Sequence, residues 1–142
     1  MKYKFLEHTA DIKFQAFGKT IEKAFENSAY ALLEVITKKI KIKPIIKKKI
    51  SVKGKDKEAL LYNFLEEFLF LLDANNFILS RINKIKVNEN KNKEYELNAE
   101  IAGDNASNYN FTNNVKAITY NEMFVREENK NKEWVCQVVV DV

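Results

Sequence analysis

Near the start of the chain, polar and apolar residues alternate with a period of two. Residues 11–16 alternate strictly, and the stretch from Tyr3 to Phe5 alternates with lysines in the same way. This pattern is typical of β-strands with one buried face. The first part of the chain therefore predicts a pair of strands, the second of which ends at Gly18.

Two later segments repeat their apolar residues at helical spacing, and Thr20 and Asp56 are suitable N-caps for them. The small residues of the first segment would let a helix lie close on a sheet. The second segment is more apolar, and we expect it to be the central core element, with Glu58 on its solvent side. The stripes comprise Ile21, Ala24, Phe25, Ser28, Ala29, Leu32 and Ile36 in the first helix, and Leu60, Leu61, Phe64, Leu65, Phe68, Leu69 and Leu72 in the second.

The second half of the chain predicts four strands separated by turns rich in Asn, Lys and Glu, and a polar loop from Asp104 to Asn114. Together the elements indicate one α+β domain over residues 1–142. We expect a two-layer sandwich, in which two helices cover a mostly antiparallel sheet whose first and last strands are neighbours. The four predicted strands are residues 78–87, 95–101, 115–125 and 134–142.

Composition excludes several classes of site. Of the 142 residues, 46% are hydrophobic and 31% charged, as in soluble globular proteins. The start has no apolar signal core and no run is long enough to cross a bilayer, so we expect a cytoplasmic protein without membrane contact. Cys136 and His8 are the only residues of their types, which excludes an internal disulfide, a cysteine zinc cluster and a multi-histidine metal site. Cys136 is expected to be a small buried residue.

The net charge of +4 is unevenly distributed. From Lys38 to Lys57 there are ten lysines and one acid, Asp56. Lysines commonly protect the edge strands of a sheet, and this interpretation is favoured. The alternative is a surface that meets RNA or an acidic protein.

An aspartate lies near each end of the chain. Asp11 and Asp141 both take the polar phase of otherwise apolar strands, and Val142 adds the terminal carboxylate. Taken singly, each aspartate is most simply a strand-end carboxylate bound to turn amides or solvent. If the strands adjoin, three carboxylates meet, and they would need a hard cation such as Ca²⁺ or Mg²⁺, or a lysine such as Lys13 or Lys116, to offset their repulsion.

No other catalytic machinery is evident. The isolated glycines fit no phosphate-binding loop, and no Ser/His/Asp order is present. His8 is a candidate base or ligand, although a lone histidine more often bonds a backbone carbonyl. The residues alone therefore indicate a small α+β domain with a candidate hard-cation site.

Six short segments resemble the archease family in order and spacing. They are His-Thr-Ala-Asp-Ile (8–12), Phe-Gly-Lys-Thr (17–20), Ala-Phe-Glu-Asn (24–27), Leu-Leu-Tyr-Asn-Phe-Leu (60–65), Lys-Ala-Ile-Thr-Tyr (116–120) and Gln-Val-Val-Val-Asp-Val (137–142). The resemblance implies a non-catalytic activator of RtcB-type RNA-splicing ligases. Such a protein promotes guanylylation of the ligase and multiple turnover, and it broadens nucleotide triphosphate use in tRNA splicing and RNA repair.

The resemblance also implies a metal site at Asp11, Asp141 and Val142, usually assigned to Ca²⁺, and contact with RNA mainly through the ligase. His8 and Lys116 lie within the matching segments and are further candidates for function. The chain departs from the family at Asn121, where a histidine is common, and asparagine cannot shuttle protons near neutral pH.

Two other functions compete with this one. The same carboxylates would serve a metal-dependent hydrolase, although no second metal set is evident. The basic region from Lys38 to Lys57 would instead serve an RNA-binding or chaperone-like module, which predicts salt-sensitive RNA binding without any ligase.

Overall fold

The computed structural model describes residues 1–130 and 132–142, and it has an α+β fold, as the sequence predicts. Two long helices, α1 (Ile21–Thr37) and α2 (Lys57–Asn75), alternate with the early strands. None of the helices in the described residues is long and apolar enough to span a membrane. The strands are β1 (Tyr3–Leu6), β2 (Ile12–Gly18), β3 (Ile46–Gly54), β4 (Phe77–Glu89), β5 (Tyr95–Asn105), β6 (Ala117–Glu128) and β7 (Glu133–Asp141).

The strands are divided between two antiparallel sheets, a division that the sequence pattern did not predict. The first sheet has the order β1-β2-β7-β6, and the second has the order β3-β5-β4. The early and late strands are neighbours as expected, with β2 as the partner of β7 and β1 at the edge. Each helix packs on strands of both sheets, so a single hydrophobic core unites them.

Both helices begin immediately after a strand that ends in glycine. The side chains of Thr20 and Asp56 accept hydrogen bonds from the backbone N–H three residues on, at 3.1 and 2.7 Å, which confirms the predicted caps. A Cβ on Gly18 or Gly54 would lie 2.4 Å from the backbone nitrogen six residues further along. Only glycine therefore lets each strand end lie against the first turn of the following helix.

The helices bury the predicted faces with one change of phase at the end of α2. Ala24 and Ser28 of α1 are fully buried, so this helix lies close to its neighbours as expected. Near the end of α2, Leu71 is buried and Leu72 only half-buried. Glu58, expected on the solvent side, accepts a hydrogen bond at 3.1 Å from the backbone N–H of Val125 in β6.

Strand β7 is buried on both faces. Cys136, Val138 and Val140 face the helices, and the burial of Cys136 agrees with the prediction. The opposite face, here called the outward face of the first sheet, carries Gln137 and Val139, which are only 8% and 1% exposed. The alternation along this strand therefore predicted its orientation but not the burial of its second face.

The polar segment from Asp104 to Asn114 is more ordered at its start than a loop. Strand β5 continues through Asp104, which is buried and accepts hydrogen bonds from the hydroxyl of Tyr109 at 2.7 Å and the backbone N–H of Asn105 at 2.8 Å. These donors, Tyr109 first, lower the pKa of Asp104. The Tyr109 hydroxyl in turn accepts from the backbone N–H of Lys43 at 2.9 Å. The segment is therefore tied to the chain that leads into β3.

Candidate functional site at the ends of strands 2, 6 and 7

Strand pairing places the two end aspartates at adjoining positions. In the antiparallel ladder of β2 and β7, Ile12 lies opposite Val140, and the next residues outward are Asp11 and Asp141. On the other side of β7, β6 pairs Ala117 with Asp141. Both aspartates are half-buried. Three strands thus converge where these two carboxylates lie.

Lys116 and Val142 belong to the same end of the sheet. The backbone N–H of Lys116 donates to the backbone oxygen of Asp141 at 2.8 Å. The residue Lys116 is exposed, and Val142 is half-buried. Asp11, Asp141, Val142 and Lys116 therefore lie together at one end of the strands of the first sheet.

A bulge in β6 adds a residue that the sequence pattern did not single out. Pairing of β6 with β7 runs to Thr119 opposite Val139 and resumes at Phe124 opposite Gln137, so five steps along β6 face two along β7. Glu122 lies in this bulge with a φ of 55°. A left-handed backbone at a residue other than glycine costs of order 1–3 kcal/mol and persists where surrounding contacts impose it.

The carboxylate of Glu122 binds two side chains from the other end of the chain. It accepts from Lys13 Nζ at 3.0 Å and lies 2.8 Å from His8 Nε2. The hydrogen bonds from His8 and then Lys13 lower the pKa of Glu122. Lys13, a candidate to neutralise the aspartates, instead has its ion pair with Glu122.

Two glutamines support the bulge from below. Gln137 donates through Nε2 to the backbone oxygen of Glu122 at 2.8 Å, and its Oε1 accepts from Gln15 Nε2 at 2.8 Å. Because Gln137 is buried, both the oxygen and the nitrogen of its side-chain amide need such partners. These bonds help to hold Glu122 in its strained conformation.

His8 lies between Glu122 and Asp11. Its Nε2 binds the Glu122 carboxylate, whereas its buried Nδ1 has no hydrogen-bond partner within the described residues and lies 4.0 Å from Asp11 Oδ2. The expectation that His8 bonds a backbone carbonyl is therefore wrong. Ala10, between His8 and Asp11 in the chain, has a φ of 67°. The contact of His8 with Glu122 therefore has a left-handed residue in each of the two segments that it joins.

The carboxylates of Asp11 and Asp141 suit a hard cation, but these two side chains do not complete its coordination. Asp11 and Asp141 offer carboxylate oxygens, which Ca²⁺ and Mg²⁺ prefer. Across residues 1–130 and 132–142, no group of three or more His, Cys, Asp and Glu side chains is arranged to hold a metal ion. A cation at Asp11 and Asp141 would therefore need the terminal carboxylate of Val142, backbone oxygens or water as further ligands.

Two more residues bear on the chemistry of the site. Cys136 is fully buried, as predicted, and burial raises its pKa to about 12, so it is no nucleophile. Asn121 is exposed and directly precedes Glu122 in the bulge. No spacing rule identified Glu122 from the sequence, because its position depends on the irregular pairing of β6 with β7.

Comparison with known proteins gives one consistent family. The model of the Archease protein family (MTH1598/TM1083) matches residues 3–142. The archease of Methanosarcina barkeri is 36% identical, with 99% of this chain and 96% of that protein aligned. The archease of Pyrobaculum islandicum is 38% identical, with coverage of 99% and 95%.

A solved structure agrees with the fold. The solution structure of protein 1598 of Methanobacterium thermoautotrophicum superposes with a TM-score of 0.83. The alignment covers 99% of both chains at 28% identity. Sequence and structure therefore agree over nearly the whole length, and the chain belongs to the archease family.

Proposed function

We propose that this protein is a non-catalytic cofactor of an RtcB-type RNA ligase, and that it acts through the ends of β2, β6 and β7. It would promote guanylylation of the ligase, support repeated turnover and broaden nucleotide triphosphate use in tRNA splicing and RNA repair. The observation that carries the proposal is the register that joins Asp11 and Asp141 from opposite ends of the sequence. Membership of the archease family supports the ligase as the partner.

The proposal includes a bound divalent cation, Ca²⁺ with Mg²⁺ as the alternative. Asp11, Asp141 and the terminal carboxylate of Val142 would hold it, since all three offer hard oxygen ligands. When bound, the cation would supply positive charge that binds phosphate or carboxylate oxygens of the partner. Without it, the neighbouring carboxylates would repel each other.

The protein's own residues would present these carboxylates in a fixed arrangement. Glu122 holds His8 through Nε2, and the Nδ1 edge of the ring faces Asp11. Lys13 offsets the charge of Glu122 without engaging the aspartates. We infer that the aspartates then act on the ligase's metal and nucleotide site, where they adjust the metal geometry or the pose of the nucleotide during guanylylation.

A helper role agrees with the nucleophiles that the chain offers. The thiol of Cys136 is buried with a pKa of about 12, and His8 is engaged with a carboxylate. A self-sufficient hydrolase would need an accessible nucleophile or a second metal to activate water. A cofactor needs only a surface that fits the active site of its partner.

The test is a ligation time course with RNA in excess over the ligase. We expect Asp11→Ala and Asp141→Ala each to reduce stimulation at least ~10-fold, because each removes a carboxylate from the proposed site. Asp73→Ala is the matched control, since Asp73 is an exposed carboxylate near the end of α2. It should stimulate the ligase as the unaltered protein does.

Folding must be checked in parallel by circular dichroism and thermal unfolding. Full stimulation by both variants with native folding would refute the proposal. Hydrolysis of RNA by the purified protein alone, lost on chelation, would favour the metal-dependent hydrolase instead.

A further inference from the structure

The face of the second sheet that is turned away from the helices is a basic surface, and the proposed function makes no use of it. Its basic residues come from both edge strands, β3 and β4, and all six are exposed. Glu96 and Glu100 of β5 face the same way, which leaves four net positive charges. The six basic residues of this basic face are Lys47, Lys49, Lys53, Arg81, Lys84 and Lys86.

Strand register shows that these residues share a face. Lys47 and Arg81 both lie opposite Ala102, and Lys49 and Lys84 both lie opposite Glu100. Opposite residues in a ladder project from the same side of the sheet, and alternate residues along β5 do so too. The central strand is thus flanked by basic side chains on both sides.

Half of this surface lies outside the basic stretch seen in the sequence. The basic residues of β4 begin at Arg81, 24 positions beyond Lys57, where that stretch ends. Conversely, Lys48 belongs to the stretch but points to the other face, where its Nζ lies 5.5 Å from the centre of the Phe77 ring. The basic surface is therefore one face of a sheet rather than the run of lysines in the sequence.

Protection of sheet edges, for which lysine is especially suited, explains why β3 and β4 carry basic side chains. It does not require these side chains to stay apart from the acidic residues of β5. On β3 and β4, every charged side chain in the rows from Lys47 to Lys53 and from Arg81 to Lys86 that faces away from the helices is basic. None of the six basic residues has an ion pair within 4.0 Å among the residues described. Within residues 1–130 and 132–142, Glu100 forms no ion pair either, although it lies opposite both Lys49 and Lys84.

The shape of the basic face is open and continuous. Two adjoining shallow depressions of about 540 and 500 Å³ follow the strands and share Lys49, Lys84 and Glu100. The register places no aromatic side chain among the outward residues of these rows. A ligand would therefore meet cations along both edge strands, with no platform on which a base could stack.

We propose that the basic face binds the phosphate backbone of RNA, independently of sequence. Alternate residues of β3 recur every ~6.6 Å, so Lys47, Lys49 and Lys53 form a row about 20 Å long. This row, which Ser51 interrupts, and the basic residues of β4 match a ligand whose negative charge extends over such a length, as a phosphate backbone does. RNA would then contact the protein directly, in addition to any contact made through the ligase.

The test measures fluorescence anisotropy of a labelled single-stranded RNA of about a dozen nucleotides, with the full chain and no ligase. We expect Lys47→Gln/Lys49→Gln/Lys84→Gln to weaken binding at least ~10-fold. It should also flatten the slope of log K against log salt by about 2, since each lost phosphate contact contributes ~0.7. The charge-matched control replaces three exposed turn lysines with glutamine, namely Lys91, Lys93 and Lys130.

The control variant should bind RNA nearly as the unaltered chain does. Equal losses in both triple variants would overturn the proposal, because net charge alone would then explain binding. Failure of the unaltered chain to bind RNA at low salt would also overturn it. If only the ligase affinity falls in the face variant, the surface meets a protein instead. The RNA-binding measurements contain no ligase, so their result is independent of the proposed function.

Discussion

On the outward face of the first sheet, Glu122 binds both His8 and Lys13, whereas on the basic face of the second sheet Lys49 and Lys84 flank Glu100 without an ion pair among the described residues. Gln137 below the first cluster is almost buried. The lysines of the second face are exposed. The same residue types thus form a hydrogen-bonded cluster on one sheet and a set of separate, exposed charges on the other.

This difference teaches how each face should respond to mutation. In a hydrogen-bonded cluster, each side chain holds the next in place, so a single mutation displaces several groups. The effects of separate mutations are then not additive. Where exposed charges are separate, each acts through solvent, so the effects of mutations are small, additive and screened by salt. The first face is therefore suited to one defined partner geometry, and the second to a flexible polyanion.

The largest expected contrast is in thiol reactivity. Cys136 of β7 should react with iodoacetamide at pH 8 about a thousand times more slowly than a cysteine introduced by Ser51→Cys on the exposed face of β3. The reason is that burial raises the Cys136 pKa to about 12, and only the thiolate reacts. Site-specific mass spectrometry separates the two adducts. Comparable rates would mean that the first sheet opens readily.

A C-terminal extension should affect the first face alone. Adding a few residues after Val142 moves the terminal carboxylate away from Asp141, and we expect stimulation of the ligase to fall at least ~10-fold. RNA binding should not change. The same residues added before Met1, which is exposed, are the control. Unchanged stimulation and metal affinity in the C-terminal variant would exclude the terminal carboxylate from the site.

Removing an acid should strengthen the second face. Glu100→Gln deletes the negative charge between Lys49 and Lys84, so RNA should bind about 3- to 5-fold more tightly at low salt. Glu122→Gln, a matched change on the first sheet, should leave RNA affinity unaltered. Salt titration of RNA binding distinguishes the two, and equal effects would remove the distinction between the faces.

The smallest effect concerns acid stability. The pKa of Glu122 is lowered by its bonds to His8 and Lys13, so its stabilising effect is full above the ordinary value of 4.5 and is lost as pH falls through the folded-state value. Glu122→Gln should therefore lower Tm slightly at neutral pH, with a difference that vanishes in acid. Glu127→Gln, at an exposed position in β6, should show no such trend. A pH-independent difference would contradict this account.

Local features of the fold were predictable from the sequence. Thr20 and Asp56 cap their helices because a short polar side chain needs only the next three residues to do so. The phase of Asp11 and Asp141 likewise follows from alternation within single strands. What alternation cannot give is pairing, and the adjacency of β2 and β7 depends on contacts between distant parts of the chain.

The least predictable residues are those that break a pattern. Glu122 lies in a bulge, where extra residues cancel the period of two. The order at Asp104 depends on the distant backbone of Lys43 through Tyr109, whereas its own neighbourhood looks like a loop. The sequence thus indicated the two aspartates and His8 but not Glu122, which binds His8.

The place of β7 has a consequence for how the protein is made. It is the last strand in chain order, yet it lies in the interior of its sheet between β2 and β6. During translation, the hairpin of β1 and β2 must therefore wait with one edge open while every other element emerges, and open edges are prone to pair with foreign strands. The positive charge of Lys13 on that waiting edge would discourage such pairing. Asp11 therefore cannot meet Asp141 until β7 has been synthesised.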